Sequence, residues 1–307
     1  MTAPVQLPGL NGTNPLGLFA ALGALDVVTR AEPTAQPTLR WEGELTPRPV
    51  LGGCGHFDEL VEMILADRDG WRESVALNGH GPDMPKDIKP RPGDVADWFR
   101  AAISSAHDGD LPLLHALISE GALAGKGDSK PTHLHFTAGN QMFLVMAREL
   151  RDRLTESHLR EALAGPWTYE SELPVLGWDN NRSERLHALS RQSPSGTKKR
   201  GVPGAEWLAL LGLRFFPVAT TDRHELVTTA CAKAWKSGGH LTWPLWEQDL
   251  AASEIAPLLT EGTESMTARQ RRARGISAVL RAPIRRADQG GYGSFGPTSP
   301  VPPPQSM

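Results

Sequence analysis

The sequence predicts an α+β protein with mixed or antiparallel sheets, a buried N-terminal helix and a disordered Pro/Gly-rich C-terminal tail. Three observations carry that expectation. Residues 16–28 are apolar on nearly every side of a helix, the mark of a helix buried all round. Thr38–Leu45 alternates Leu39, Trp41, Gly43 and Leu45 with Arg40, Glu42 and Glu44, the period of a half-buried strand. The 307 residues include 31 Gly and 26 Pro, so many short elements joined by firm turns are expected in place of a long bundle.

The first helix has a defined start. Asn14 supplies a capping side chain, and Pro15 occupies a first helical position where a missing N–H costs nothing. Gly17 and Gly23 each cost ~1 kcal/mol of helix propensity relative to Ala, tolerable where a second backbone packs close. Pro47 and Pro49 end the strand. Phe57–Leu65 then reads as a short amphipathic helix, with Trp71–Leu77 continuing its packing. Gly79–Gly93 holds Pro82, Pro85, Pro90 and Pro92 and reads as a loop. A helix follows from Asp94 to Ala106, with Val95, Trp98, Phe99, Ala102 and Ile103 on one stripe, then a second apolar helical segment at Leu111–Ile118. Gly121–Pro131, rich in Gly and Lys, is expected to be flexible. His133–Phe136 reads as a strand, and Thr137 as the cap of a helix from Ala138 to Leu154. Leu159–Leu163 extends this helical part.

Composition changes from Trp167 onward. Trp167–Asn181 is aromatic and irregular, Leu186–Leu189 reads as a strand and Gln192–Gly204 as a polar loop. Pro203 opens a helix through Trp207, Leu208, Leu210 and Leu211. Phe215–Ala219, Glu225–Ala230 and His240–Trp246 read as strands, Glu254–Leu259 as a short helix and Gly275–Arg285 as a final strand. The organisation expected is a helix-rich α+β part at 1–166, a strand-rich basic part at 167–288 and a disordered tail at 289–307. Pro15, Phe19, Ala21 and Leu22 are echoed in spacing by Pro203, Trp207, Ala209 and Leu210, too briefly to define a repeat.

A net charge of −3 gives the whole chain no polyanion-binding signature. Cys54 and Cys231 stand far apart with no CxxC nearby, which argues against a zinc ribbon or a disulfide scaffold and fits a reducing cytosol. Met1–Leu10 lacks a basic, apolar signal pattern, and the apolar stretch Pro15–Val28 is too short to span a bilayer. A soluble cytoplasmic protein without a membrane partner is expected.

Charge is nevertheless segregated. Between Arg182 and Arg200, the cations Arg182, Arg185, Arg191, Lys198, Lys199 and Arg200 face only Glu184, a net of +5. Between Thr263 and Asp288, Arg269, Arg271, Arg272, Arg274, Arg281, Arg285 and Arg286 face Glu264 and Asp288, again +5, which leaves −13 on the rest. Arginine dominates, favouring bidentate phosphate contacts. Ser193–Gly201 adds backbone N–H groups and hydroxyls that suit a phosphodiester, with a solvated loop as the alternative. The candidate nucleic-acid contacts are Arg182, Arg185, Arg191, Lys198, Lys199 and Arg200 in one strip and Arg269, Arg271, Arg272 and Arg274 in the other. Trp178 is a candidate base-stacking residue, or else a core tryptophan.

No catalytic pattern is complete. The Gly/Ser/Lys run lacks P-loop spacing, Ser195 lacks a nucleophile elbow, and Asp179-Asn180-Asn181 reads as a turn. His133 and His135 would share one face of a strand and could serve as two metal ligands, with Asp128 or Asp110 as a third, though ordinary surface or core histidines read as well. No catalytic, cofactor-binding or metal residue is assigned, and a non-enzyme is expected.

Several stretches together carry a family likeness. Leu10–Leu25, with its Asn14-Pro15-Leu16-Gly17 start and Ala21-Leu22-Gly23 helix, resembles the opening of CRISPR-associated proteins of the type I-G (formerly I-U) systems. Phe136-Thr137-Ala138-Gly139-Asn140-Gln141 and Ser193–Gly196 leading to Pro203–Leu208 are similar to landmarks of the accessory-subunit group, the Csb-type proteins and the family extending the CRISPR nuclease-helicase. The resemblance implies a non-catalytic role in antiviral defence, within or beside a crRNA-guided complex in which base pairing reads sequence and protein holds backbone. Implied partners are other effector subunits, the nuclease-helicase, and crRNA or target DNA. The alternatives are a protein-interaction adaptor that binds no nucleic acid and a metal-dependent nuclease using His133 and His135.

Overall fold

The computed structural model describes residues 3–123, 127–181, 200–232, 239–286 and 292–304. After β1 (Val5–Gln6), the Asn14 side chain accepts from Leu16 N at 3.0 Å and starts α1 (Pro15–Ala31). Every residue of α1 from Pro15 to Val28 is buried. A hairpin of β2 (Thr38–Glu42) and β3 (Arg48–Gly52) follows, then α2 (Phe57–Gly70), α3 (Val75–Asn78), α4 (Pro92–Ile103) and α5 (Asp110–Leu117). β4 (Ile118–Leu123) and β5 (Ser129–Pro131) precede α6 (Phe143–Arg153) and α7 (Glu156–Ala164). The second half runs α8 (Pro203–Gly212), β6 (Val218–Thr220), β7 (Leu226–Thr228), β8 (Cys231–Ala232), β9 (His240–Trp246), β10 (Leu250–Ala251), α9 (Ala252–Thr260), α10 (Ala268–Ala273), β11 (Ile276–Arg286), β12 (Gly293–Phe295) and β13 (Ser299–Pro300).

All strand pairs described are antiparallel, and the class is α+β. One sheet has the order β1-β3-β2-β10, with Leu39 opposite both Leu51 and Leu250. A larger sheet has the order β12-β11-β9-β8, with β13 also on β11 and Leu280 opposite Trp243. Tryptophans join the layers: Trp246 Nε1 donates to Leu39 O at 2.6 Å and Trp243 Nε1 to Gly12 O at 3.0 Å. Buried residues from both sides of residue 166 form one cluster.

The two apolar helices that echo each other in sequence cross at the centre of that cluster. A methyl added at Gly23 would fall 1.8 Å from Leu208 O, and one at Gly212 would fall 1.9 Å from Phe19 O. Each helix therefore presents a glycine to the other's carbonyl. This close approach offsets the propensity cost of Gly23.

Several local expectations are corrected. His133–Phe136 is a turn and not a strand, because His135 N donates to Thr132 O at 3.1 Å and Leu134 N to Thr132 Oγ1 at 3.3 Å. These N–H groups are spent locally and cannot ladder. The helix expected from Ala138 begins at Phe143, since Gly139 is left-handed (φ +61°) and Lys86 O takes Leu144 N. Phe215 ends a 3-10 turn, and the strand expected there starts at Val218. The described part of Gly121–Pro131 is a β4–β5 pair, where a flexible stretch was expected. Within the tail, 292–304 supplies β12 and β13, because Phe295 is fully buried 4.9 Å from the Phe136 ring and so holds down a segment whose average composition is that of a solvated tail. The strand expected at Leu186–Leu189 lies outside the described residues.

Candidate nucleic-acid interface

The second basic strip divides by position into anchored, paired and free arginines. Thr267 caps α10, accepting from Gln270 N. Arg271 turns inward, 7% exposed, and donates to Val301 O at 2.6 Å and Glu264 O at 3.2 Å. Its assignment as a phosphate contact is corrected: the guanidinium holds the segment after β13 onto the body and does not face solvent. Arg274 pairs with Glu261 at 2.8 Å, and Arg281 pairs with Glu264. Arg269 and Arg272, one helical turn apart, are exposed, as is Arg285, and among the described residues none of the three pairs with a carboxylate. Arg285 lies across Gly296, where an added methyl would come within 2.8 Å of its Nε.

Arg286 ends the strip and is anchored. Its guanidinium sits 5.3 Å above the Phe136 ring and donates to His135 O at 2.7 Å and His133 O at 3.0 Å. Between those two carbonyls, Leu134 O accepts from Trp178 Nε1 at 2.9 Å. Next along the same loop, Phe136 O accepts from Gly293 N at 3.0 Å. Four successive carbonyls of one turn thus receive the end of the second strip, the residue four positions before the first strip, and the strand that follows. Trp178 is wholly buried in this role, which makes it the core tryptophan of the two alternatives and not a base-stacking residue.

For the first strip, Arg182, Arg185, Arg191, Lys198 and Lys199 lie outside the described residues. Arg200 is described: it is exposed and 3.7 Å from Glu172, beside a Gly201 N to Ser171 O bond. The strip leaves from a firm turn, in which Asp179 Oδ1 accepts from Asn14 Nδ2 at 2.8 Å and from Asn181 N at 3.0 Å. The helix cap of α1 is tied in this way to the start of the basic segment.

The histidines of the turn do not converge. His133 Nδ1 lies 2.9 Å from Thr228 Oγ1, whereas His135 Nε2 lies 2.9 Å from Asp87 Oδ1 and 3.0 Å from Thr137 Oγ1. Burial pushes both imidazoles down, and for His133 the charges of Arg286 and Lys130 act in the same direction. Burial alone would raise the Asp87 carboxyl, but the His135 hydrogen bond, with the charges of His135 and Lys89, brings it to about 2. Lys89, 3.4 Å from Asp87, and Lys130 add positive field around the turn, a contribution invisible in sequence because each lysine stands outside the basic strips. Among the described residues, no group of three His, Cys, Asp or Glu side chains is placed to hold a metal ion. The shared strand face on which the two-histidine site depended is absent. Burial raises the Cys54 thiol to about 11 and the Cys231 thiol to about 12, far from thiolate chemistry. No described helix is long and apolar enough to cross a membrane.

The chain matches no family model and no curated protein.

Proposed function

We propose that the chain is a non-catalytic subunit or accessory factor of a type I-G CRISPR antiviral system, binding crRNA or target-DNA backbone and other effector subunits, including the nuclease-helicase, in the cytoplasm. The observation that supports this reading is the turn Thr132–Thr137. Arg286 from the second strip and Trp178 from the approach to the first are hydrogen-bonded to adjacent carbonyls of that turn. The end of the second strip and the segment that leads into the first thus meet at one turn. The net −13 on the rest of the sequence disfavours polyanion contacts outside the two strips.

The contacts expected are Arg269, Arg272 and Arg285 together with Arg182, Arg185, Arg191, Lys198, Lys199 and Arg200. They are suited to phosphates and carry no base readout. Equilibrium binding of labelled duplex DNA and of repeat-derived RNA over a salt series tests this reading. Engagement of about six phosphates gives a slope of log K against log salt near −5 on duplex. Charge reversal at Lys198, Lys199 and Arg200 flattens it. An unchanged slope removes that strip from the interface, and absence of binding at low salt overturns the reading.

A further inference from the structure

We infer that Glu261 and Glu264 form a self-masking strap on the second basic strip, standing where phosphates would bind and yielding to a polyanion. The inference rests on the nucleic-acid reading and adds a regulator of the same surface. Both carboxylates belong to one short turn at the end of α9, and each takes one arginine: Glu261 Oε2 holds Arg274 Nε at 2.8 Å, and Glu264 Oε2 holds the Arg281 guanidinium. Thr242 Oγ1 supports Glu264 at 3.4 Å, and His240 Nε2 stands 3.9 Å from it. Gly262, left-handed at φ +64°, sets the reversal between the two glutamates, and its carbonyl accepts from Ser265 N and Ser265 Oγ.

The magnitudes favour exchange over permanent pairing. The four side chains are between 37% and 43% exposed, so each pair lies where ion pairs contribute little and salt screens them. A phosphodiester, whose binding also releases condensed counterions, competes with these half-exposed carboxylates for the two arginines. With the strap in place, the second strip offers Arg269, Arg272 and Arg285. With it displaced, Arg274 and Arg281 join them, on the helix end and on the strand that connect those free arginines. The strap thus tunes affinity and salt dependence without altering the anchors Arg271 and Arg286.

The test is anisotropy of fluorescein-labelled duplex DNA over a salt series with the full chain. Glu261→Gln/Glu264→Gln keeps the shape and removes the charge. It is expected to bind on the order of tenfold tighter at low salt, with a slope steeper by about 1.8, or 0.9 for each arginine released. The same pair of substitutions placed on Arg274→Gln/Arg281→Gln is expected to change nothing. Glu44→Gln/Glu120→Gln, two exposed carboxylates with no ion pair among the described residues, controls for net charge alone. If the wild type binds and the strap variant keeps the wild-type slope, or gains no more than the control, the strap is overturned and the nucleic-acid reading stands. If neither the wild type nor the strap variant binds duplex or RNA, the reading falls and takes the strap with it.

Discussion

The Arg286 guanidinium donates to the His135 carbonyl at 2.7 Å, tying the end of β11 to a turn 151 residues earlier in the chain. A second N–H of the same group reaches His133 O, so one fork closes the turn. Lysine lacks that fork. Replacing Arg286 with Met strips two charge-assisted hydrogen bonds from half-buried carbonyls and is expected to cost about 2–4 kcal/mol in urea denaturation. Arg286→Lys restores part of this. A loss under about 0.5 kcal/mol for the Met variant would show that the turn is held by its other bonds.

The glycine crossing of α1 and α8 gives a sharper contrast. A methyl at Gly23 would meet the Leu208 carbonyl inside any real contact distance, whereas a methyl at Gly81 or Gly93 meets nothing within 4 Å. Gly23→Ala is expected to destabilise by about 3 kcal/mol or more, since backbone cannot move aside as a side chain does. Gly81→Ala leaves the melting temperature within about a degree of the parent. Equal behaviour of the two variants would contradict the close crossing.

The arginines of the second strip separate into two phenotypes. Arg271→Met lowers stability by about 2 kcal/mol or more, because Val301 O and Glu264 O lose a charged donor, and leaves the salt slope of nucleic-acid binding untouched. Arg269→Glu/Arg272→Glu keeps stability within about 0.5 kcal/mol and flattens that slope. Denaturation and salt titration of the same two variants check both statements. Reversal of the pattern would put Arg271 on the interface.

Acid weakens the fold in two steps. Burial holds His107, His115, His133, His135 and His158 below the ordinary imidazole value, so the unfolded chain takes up protons first as pH falls. The stability these groups contribute is complete above about pH 6.5 and declines below it. Asp87, brought to about 2, adds a contribution complete above the unfolded carboxyl value near 4 and lost as pH falls towards 2. Melting temperatures measured from pH 8 to 3 should fall first below about 6.5. His135→Gln is expected to reduce that first loss, and a profile flat down to pH 4 would contradict the assignment.

Much of the element inventory is readable from local chemistry. Asn14-Pro15 marks a helix start because cap and ring act within one turn, and β9 follows from the apolar run His240–Trp246. Expectations fail where a distant group intervenes. Thr132 takes the Leu134 and His135 N–H groups, and Thr228 that of His133, which a strand at His133–Phe136 would offer a neighbour. Phe295 buries a tail whose average composition is that of disorder. The candidate interface divides in the same way: the sequence shows how many arginines lie between Arg269 and Arg286, but their rank as anchor, pair or free cation depends on which carbonyl or carboxylate each one meets.

From its order of residues alone, this chain fixes the α+β class, the apolar helix after Asn14 and the separation of two basic segments from an acidic remainder. Those properties follow from side-chain type and from spacing over a few residues. Only tertiary packing makes Gly23 and Gly212 answer each other, turns Arg271 and Arg286 inward and brings Trp178 and Arg286 to one turn. Each of those depends on a contact between residues far apart in the chain, and no local pattern encodes such a distance.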